Sequence, residues 1–396
     1  MNLGRKTPLS IYVHWPYCSF LCKFCAFSKA RVPLGGVEHE RISSALLTEL
    51  KTVLAPHSDK TLYSIYFGGG TPSLAQPRHI AQIVQMANKL VPLAASAEIT
   101  LESNPTSAEI NKMADFKLSG ITRYSIGIQT LNDQVLERMG RLHTGAEGLA
   151  AIDRAKQLFP GHVSCDMMFG FEGQTTSEWQ RELETVLDHA DNHLSLYQLT
   201  VEPGTPLFRD LNAQRIKLPA EDTQSQMYET AVELCSSRGF RHYEVSNYAA
   251  ISSAESVHNK GYWQDRQWIG IGPSAHSRYT DPANGQRIHS VRIPDIQRWA
   301  QSCIDNGHGT GKVDLISSLE AKQGAVVFGL RMLDGLSNQR FMSISGGQPL
   351  TEYLCMQSVQ QHVQNGYLKW TNGSACLAPT EKGLQVIDSI LLDIIP

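Results

Sequence analysis

No run of apolar residues in this 396-residue chain is long enough to cross a bilayer, which takes about 18 to 20 of them in succession. The most apolar stretch, VIDSILLDIIP at the C-terminal end, is short and carries two aspartates, so an amphipathic terminal helix is expected there. Long runs of like charge are also missing. With 35 Lys and Arg against 38 Asp and Glu, the net charge is −3, and a partner held by a strongly basic face, such as nucleic acid, is not expected. About ten residues precede the first strand-like run, too few for a secretory signal or an Arg-rich transit peptide. Internal repeats and low-complexity tracts are absent. Cysteine is scarce: there are eight, and Cys165, Cys235, Cys303, Cys355 and Cys376 are scattered without a pairing pattern. That usage fits a reducing compartment and argues against a disulfide framework. The other three, Cys18, Cys22 and Cys25, stand together in HWPYCSFLCKFCAF.

What is present is an alternation. From residue 10 to about residue 200, short β-branched or aromatic runs alternate with longer segments whose apolar residues recur every three or four positions. The expected strands are SIYVHW, LYSIYFGG, EITLES, RYSIGIQ, HVSCDMMFG and HLSLYQLTV. Expected helices include HERISSALLTELKTVL, RHIAQIVQMANKLV, SAEINKMADFKLSG and EWQRELETVLDHA. Six strand–helix units in succession predict an α/β fold, a parallel sheet curled by right-handed crossovers into a partial (β/α)6 TIM-like barrel. From residue 205 to about 300 the pattern loosens, and RYTDPANGQRIHSVRIPD reads as a long loop. After about residue 312 the order helix, helix, short hairpin, helix predicts a winged-helix-like α+β unit. GYLKWTNGSACLAPTEKG would be its two-stranded wing, turning at Asn-Gly. The region of its recognition helix, TEYLCMQSVQQHVQNG, has no Lys or Arg, so phosphate contacts there would be poor. Three regions result: 1–240, the barrel; 241–310, a connecting region; and 311–396, the C-terminal unit.

In parallel α/β architectures the ligand site lies at the C-terminal ends of the strands. The unusual chemistry of this chain falls at those ends. CSFLCKFC follows the first expected strand and GGGTPS the second; ESNP ends the third, GIQT the fourth, and CDMMFG contains the fifth. Three thiols so close can hold a metal. A structural zinc ion takes four ligands, and His14 could complete a Cys3His set. A [4Fe–4S] cluster takes one thiolate per iron, so three cysteines would leave one iron open to a small chelating ligand. Three glycines after a strand let the backbone approach a ligand closely and offer unhindered N–H donors. Glu102, Gln129, Arg141 and Asp166 place polar groups on or near the same rim.

With Phe24 immediately before the third cysteine, C-x3-C-x2-C after a first strand resembles the radical S-adenosylmethionine (radical SAM) superfamily. The resemblance implies that Cys18, Cys22 and Cys25 hold three irons of a [4Fe–4S] cluster, and that the amino and carboxylate groups of SAM chelate the fourth. One-electron reduction would then cleave the sulfonium to methionine and a 5′-deoxyadenosyl radical. Likeness to the coproporphyrinogen-oxidase-like branch implies SAM contacts from Tyr12, Phe24, Gly69, Gly70, Thr71, Glu102, Gln129, Arg141 and Asp166. In that branch a second SAM lies near the positions of Gln129, Arg141 and Asp166.

The stretches IYVHWPYC, YFGGGTPSL, ESNPTS, SIGIQTL, GRLHT, LSLYQLTVEPGTPLF, YEVSNYA and HNKGYW run in order along nearly the whole chain. Together they are similar to the HemW family, in particular its animal mitochondrial branch. This likeness implies a haem chaperone that binds haem and delivers it to recipient haemoproteins. It also implies a mitochondrial location, with a cytoplasmic one as the alternative because no presequence is visible. The family's H-N-x-x-Y-W element is matched by HNKGYW, which makes His258 the expected haem ligand; His276 and His242 are the weaker alternatives. Oxygen-independent coproporphyrinogen III oxidases carry a further cysteine two residues past the third, where this chain has Phe27. A phenyl ring cannot ligate metal or relay a hydrogen atom as a thiol could, so oxidation of a porphyrinogen is the less expected activity.

Overall fold

The computed structural model of the protein describes residues 7–373 and 375–396. Strand β1 (Pro8–Trp15) is followed by β2 (Thr61–Gly69), β3 (Leu93–Ser103), β4 (Arg123–Gln129), β5 (Val163–Phe169) and β6 (His193–Gln198). Each lies parallel to the one before it. Helices α1 (His39–Leu54), α2 (Pro77–Leu90), α3 (Met113–Leu118), α4 (Gly145–Leu158) and α5 (Thr176–His189) fall between them. Thr144 with Glu147 and Thr175 with Glu178 form reciprocal capping boxes that start α4 and α5. All six expected strands are present.

The strands are two-faced. Leu9, Ile11, Val13 and Trp15 of β1 are buried in the main apolar core, which leaves Ser10, Tyr12 and His14 on the other side, because successive side chains alternate. The same period of two places Ser64 and Tyr66, then Glu98, Thr100 and Glu102, then Arg123, Ser125 and Gly127, then Ser164 and Asp166 on that second face. Parallel register aligns them: Ser10 beside Ser64, Tyr12 beside Tyr66, Glu102 beside Ser125, Gly127 beside Asp166. One face of the sheet is apolar and packed under helices. The other is polar, and its groups need hydrogen-bond partners or a ligand to offset their desolvation.

Beyond α6 (Glu221–Ser237), β7 (Arg241–Glu244) and β8 (Asn247–Ala249) extend the sheet antiparallel past β6. Helix α7 (Val257–Trp263) then leads to a strand that the sequence did not announce as one. This is β9 (Gln267–Ile271), which pairs in parallel with β1 on the side opposite β2. The stretch expected to be a long loop contains an antiparallel hairpin, β10 (His276–Thr280) and β11 (Arg287–Arg292). After α8 (Ile296–Asn306), β12 (Thr310–Leu315) completes the edge. The hairpin was hidden because the buried positions of β11 are Ile288, Ser290 and Arg292, only one of them apolar. Arg292 is neutralised by Glu49 at 3.2 Å. Glu49 also accepts from Trp299 Nε1 at 3.0 Å and from the N–H groups of Gly272 and Gly309, both at 2.8 Å. The complete order, β12-β11-β10-β9-β1-β2-β3-β4-β5-β6-β8-β7, is an open mixed sheet, so the barrel is partial, as expected.

A second apolar cluster, from Ala325 to Ile394, belongs to the C-terminal unit. Helices α9 (Ser318–Gly329), α10 (Asn338–Ser345), α11 (Met356–Gln364) and α12 (Ile387–Ile394) surround a small sheet there. Its strands β13 (Leu336–Ser337), β14 (Leu368–Thr371) and β15 (Cys376–Pro379) stand in the order β13-β15-β14. The expected wing is the β14–β15 hairpin; Asn372 and Gly373 have φ of 52° and 62°, the left-handed values that such a turn needs. Among the described residues no helix is long and apolar enough to cross a membrane.

Candidate functional site

The loop after β1 carries the three clustered cysteines and is pinned from two sides. The Lys23 N–H donates to Met139 O at 3.1 Å, and Lys23 O accepts from the Leu207 N–H at 3.0 Å. Phe24 packs against an apolar cluster that includes Met139, Met168, Phe171 and Leu207. Cys18 is buried, and Cys22 and Cys25 are half-buried. Burial pushes the Cys18 thiol up to about 11, against a hydrogen bond with Thr71 that lowers it; Cys25 and Cys22, close by, add to the rise. A thiol so raised keeps its proton at neutral pH until a metal displaces it. Among the described residues, no three Cys, His, Asp or Glu side chains are drawn together as a metal-binding set. The loop therefore gathers the thiols on one rim without closing them on a common centre. His14 does not complete a zinc set. Its Nε2 faces Ser28 O at 2.7 Å and its Nδ1 faces the Tyr12 hydroxyl at 3.2 Å, so both ring nitrogens are engaged.

The glycine run after β2 is a close joint. The Gly70 N–H donates to Trp15 O at 2.6 Å and the Thr71 N–H to Tyr17 O at 2.8 Å, while the Gly69 N–H serves Glu102. These three donors are used within the chain, so the expectation of free N–H groups does not hold here. A Cβ on Gly70 would lie 2.7 Å from Tyr17 O and 2.9 Å from Trp15 O, which no larger residue tolerates. Thr71 is further fixed by Asn104, whose Nδ2 donates to its Oγ1 at 3.2 Å.

Two carboxyl groups lie on the polar face. Burial pushes Glu102 up to about 7; hydrogen bonds from Tyr66 (2.6 Å) and Gly69 oppose the rise, and the charge of Asp166 adds to it. Burial likewise pushes Asp166 up to about 6, against hydrogen bonds from Ser195 and Ser125. Tyr12, stacked on Tyr66 with ring centres 6.3 Å apart, has its hydroxyl pKa raised by burial and then by Glu102. At the end of β4, Gln129 has a φ of 72° beside a bulge. A Cβ on Gly127 would lie 2.8 Å from Gln129 Nε2 and 3.3 Å from Arg141 Nη2, so a larger residue there would displace both side-chain ends. Arg141 donates to Gly127 O and holds its Nη1 3.6 Å from Cys22 Sγ. The sequence-predicted residues thus meet in neighbouring groups: Cys18 with Thr71, Cys22 with Arg141 and, around Gly127, Gln129, and Tyr12 with Glu102 and Asp166 around Tyr66.

His258 is elsewhere in character. It is 1% exposed, with Nδ1 2.8 Å from the Ser64 hydroxyl and Nε2 2.8 Å from the Tyr262 hydroxyl. Its ring stacks on Tyr66 at 4.8 Å, and burial lowers its pKa to about 3. Helix α7 is moored by Glu98, which accepts from the N–H groups of Val257 and His258 and pairs with the buried Arg123 at 3.4 Å. Both imidazole nitrogens are engaged, so this structure presents His258 as a support beneath the rim and not as an open ligand. His242 is also committed, its Nδ1 2.7 Å from Glu381.

An open cavity of about 520 Å³ lies beside the cysteine loop. Ala26, Phe27 and Ser28 form one side and Tyr262, Trp263 and Trp268 another; Phe328 of α9, Ser274, His276 of β10, and Tyr12 and His14 of β1 complete the lining. Phe27 is 69% exposed on its lip.

A profile of the radical SAM superfamily matches residues 12–186. The chain is 37% identical to radical S-adenosyl methionine domain-containing protein 1, mitochondrial, of Mus musculus, over 99% of its own length and 88% of the relative's. The chain belongs to the radical SAM superfamily. Among other radical SAM relatives, the heme chaperone HemW of Escherichia coli is 34% identical over 98% of both chains. The solved structure of E. coli coproporphyrinogen III oxidase (HemN), itself called a radical SAM enzyme, superposes with a TM-score of 0.81 over 98% of this chain and 91% of that one. At 19% identity that likeness establishes the fold. Radical SAM membership brings with it a [4Fe–4S] cluster and SAM as cofactors.

Several residues of this radical SAM site escaped the reading of the sequence. Tyr66, Ser125 and Ser195 stand on the polar face; their signal was a two-residue alternation of polar groups on strands otherwise rich in Ile, Leu and Val. Trp268 and Phe328 reach the cavity from distant segments, and nothing local marked them.

Proposed function

We propose that this radical SAM protein is a haem chaperone that binds a [4Fe–4S] cluster, SAM and haem and delivers haem to recipient haemoproteins. The observation that carries the reading is the aromatic cavity of about 520 Å³ beside the cysteine loop, with exposed Phe27 on its lip where a fourth thiol would serve radical chemistry. An apolar slot bounded by several rings suits a flat macrocycle. Support comes from full-length relatives that carry the names heme chaperone HemW and mitochondrial radical SAM protein. The name of the Mus musculus relative also supports a mitochondrial location.

Cys18, Cys22 and Cys25 are the proposed cluster ligands, and Tyr12, Phe24, Gly69, Gly70, Thr71, Glu102, Gln129, Arg141 and Asp166 the proposed SAM site. Charge supports the fit. SAM carries an ammonium and a sulfonium, and Glu102 and Asp166 are carboxyls that burial has pushed towards neutrality. A cation beside them would let both ionise. Held by Cys18, Cys22 and Cys25, a [4Fe–4S] cluster would supply the one-electron reduction of a bound SAM. Arg141 holds its Nη1 3.6 Å from Cys22 Sγ and places a donor beside that proposed ligand. Phe24, packed among apolar side chains, anchors the loop to the body of the protein. The test is haem transfer from the anaerobically reconstituted protein to an apo-haemoprotein, followed by absorbance, with and without an intact cluster. Transfer that depends on the protein supports the reading; no haem binding overturns it.

A further inference from the structure

The geometry points to His276, backed by His289, as the side chain that ligates haem iron, in the cavity walled by Phe27, Tyr262, Trp263, Trp268 and Phe328. This assignment rests on the haem-chaperone reading and says which imidazole serves it. Of the three histidines that the sequence offered, His258 and His242 are buried and hydrogen-bonded, whereas His276 is exposed and lines the cavity.

The hydrogen bonding around His276 prepares it as a ligand. His276 Nδ1 lies 3.0 Å from His289 Nε2, and His289 Nδ1 lies 3.8 Å from a carboxylate oxygen of Asp314. The contact with His289 engages Nδ1 of His276 and leaves Nε2 as the nitrogen open to a metal, with a lone pair there in the tautomer in which Nδ1 donates. Among the described residues that Nε2 has no hydrogen-bond partner. A neighbour that holds the other ring nitrogen in this way orients a histidine metal ligand.

The walls suit the rest of the macrocycle. Tyr262 and Trp268 meet edge to face with centres 4.7 Å apart, and Trp263 lies 6.4 Å from Phe328. Arg278, two residues along β10, sets its guanidinium carbon 5.3 Å from the centre of the Phe328 ring. Arg278 and Arg287 pair with the carboxylate of Asp265 behind this wall. Because Phe27 belongs to both the cavity lip and the loop that carries Cys25, a change in the cluster would be felt by bound haem.

The experiment titrates the anaerobically reconstituted protein with ferric protoporphyrin IX and, separately, with metal-free protoporphyrin IX. The proteins compared are wild type, His276→Gly, His289→Ala and His258→Ala. Expected for His276→Gly are loss of the imidazole-ligated Soret band and electron paramagnetic resonance signature, and haem binding weaker by at least about tenfold, with metal-free porphyrin binding unchanged. Added imidazole restores the band. His289→Ala weakens haem by about tenfold, and His258→Ala, though less stable, keeps an imidazole-ligated Soret band. Wild-type spectrum and affinity in His276→Gly overturn the assignment while haem binding stands. Failure of the wild type itself to bind haem overturns the chaperone reading along with it.

Discussion

Tyr66 donates a 2.6 Å hydrogen bond to Glu102 on the polar face of the sheet, and this pair governs how the rim answers to pH. Glu102 titrates at about 7 and Asp166 at about 6, above the ordinary 4.5 and 3.8. A cationic ligand pulls both down, so binding releases protons, and SAM affinity rises between about pH 5 and pH 8 before levelling off. Calorimetry in buffers of different ionisation enthalpy counts those protons. Glu102→Gln removes the upper part of the dependence; an affinity flat with pH contradicts the pairing of these carboxyls with the ligand. Since both folded values are raised, the ligand-free protein loses their stabilising contribution as pH rises through 6 to 7.

Cysteine replacements separate the cluster from the core. Cys18→Ser, Cys22→Ser and Cys25→Ser each abolish the iron and acid-labile sulfide of the reconstituted protein. Cys165→Ala, Cys235→Ala and Cys303→Ala keep both, because those thiols are buried in the apolar core, and each lowers stability by about 1 to 2 kcal/mol. Zinc without iron in the wild type contradicts the cluster assignment.

Removing His258 is a structural injury. His258→Ala leaves the Ser64 and Tyr262 hydroxyls without their ring partner, and denaturant melts lose about 2 to 4 kcal/mol. An unchanged midpoint contradicts the supporting role given to this residue.

Arg123 and Glu98 are 2% and 8% exposed and lie 3.4 Å apart under α7. Arg123→Met strands a buried carboxylate and costs about 3 to 5 kcal/mol, and adding Glu98→Gln recovers part of the loss. A double mutant no more stable than the single would show that the pair is not coupled.

How much of this was legible follows from how far apart the cooperating residues stand in the chain. Strands β1 to β6 declared themselves because each pairs with the next in sequence, so local alternation and the intervening helices suffice. Strand β9 did not, because it joins β1 across some 250 residues and its partner cannot be read from its own five. The loop cysteines and the residues at strand ends were visible as motifs, and the structure brings some of them into contact, Cys18 with Thr71 and Cys22 with Arg141. His258 shows the opposite case. Its motif was plain, yet a tyrosine four positions along the same helix closes its Nε2, a relation that helical spacing contains but that the resemblance passed over. The cavity was illegible, since Phe27, Trp268 and Phe328 come from three distant segments.

The central claim is that this radical SAM chain carries haem and does not oxidise a porphyrinogen. The most direct test gives the anaerobically reconstituted protein, with SAM and reductant, coproporphyrinogen III in one vessel and haem with an apo-haemoprotein in another. The account predicts haem delivered to the acceptor and no decarboxylated porphyrin. Stoichiometric conversion of coproporphyrinogen, with release of 5′-deoxyadenosine and no haem delivered, contradicts it.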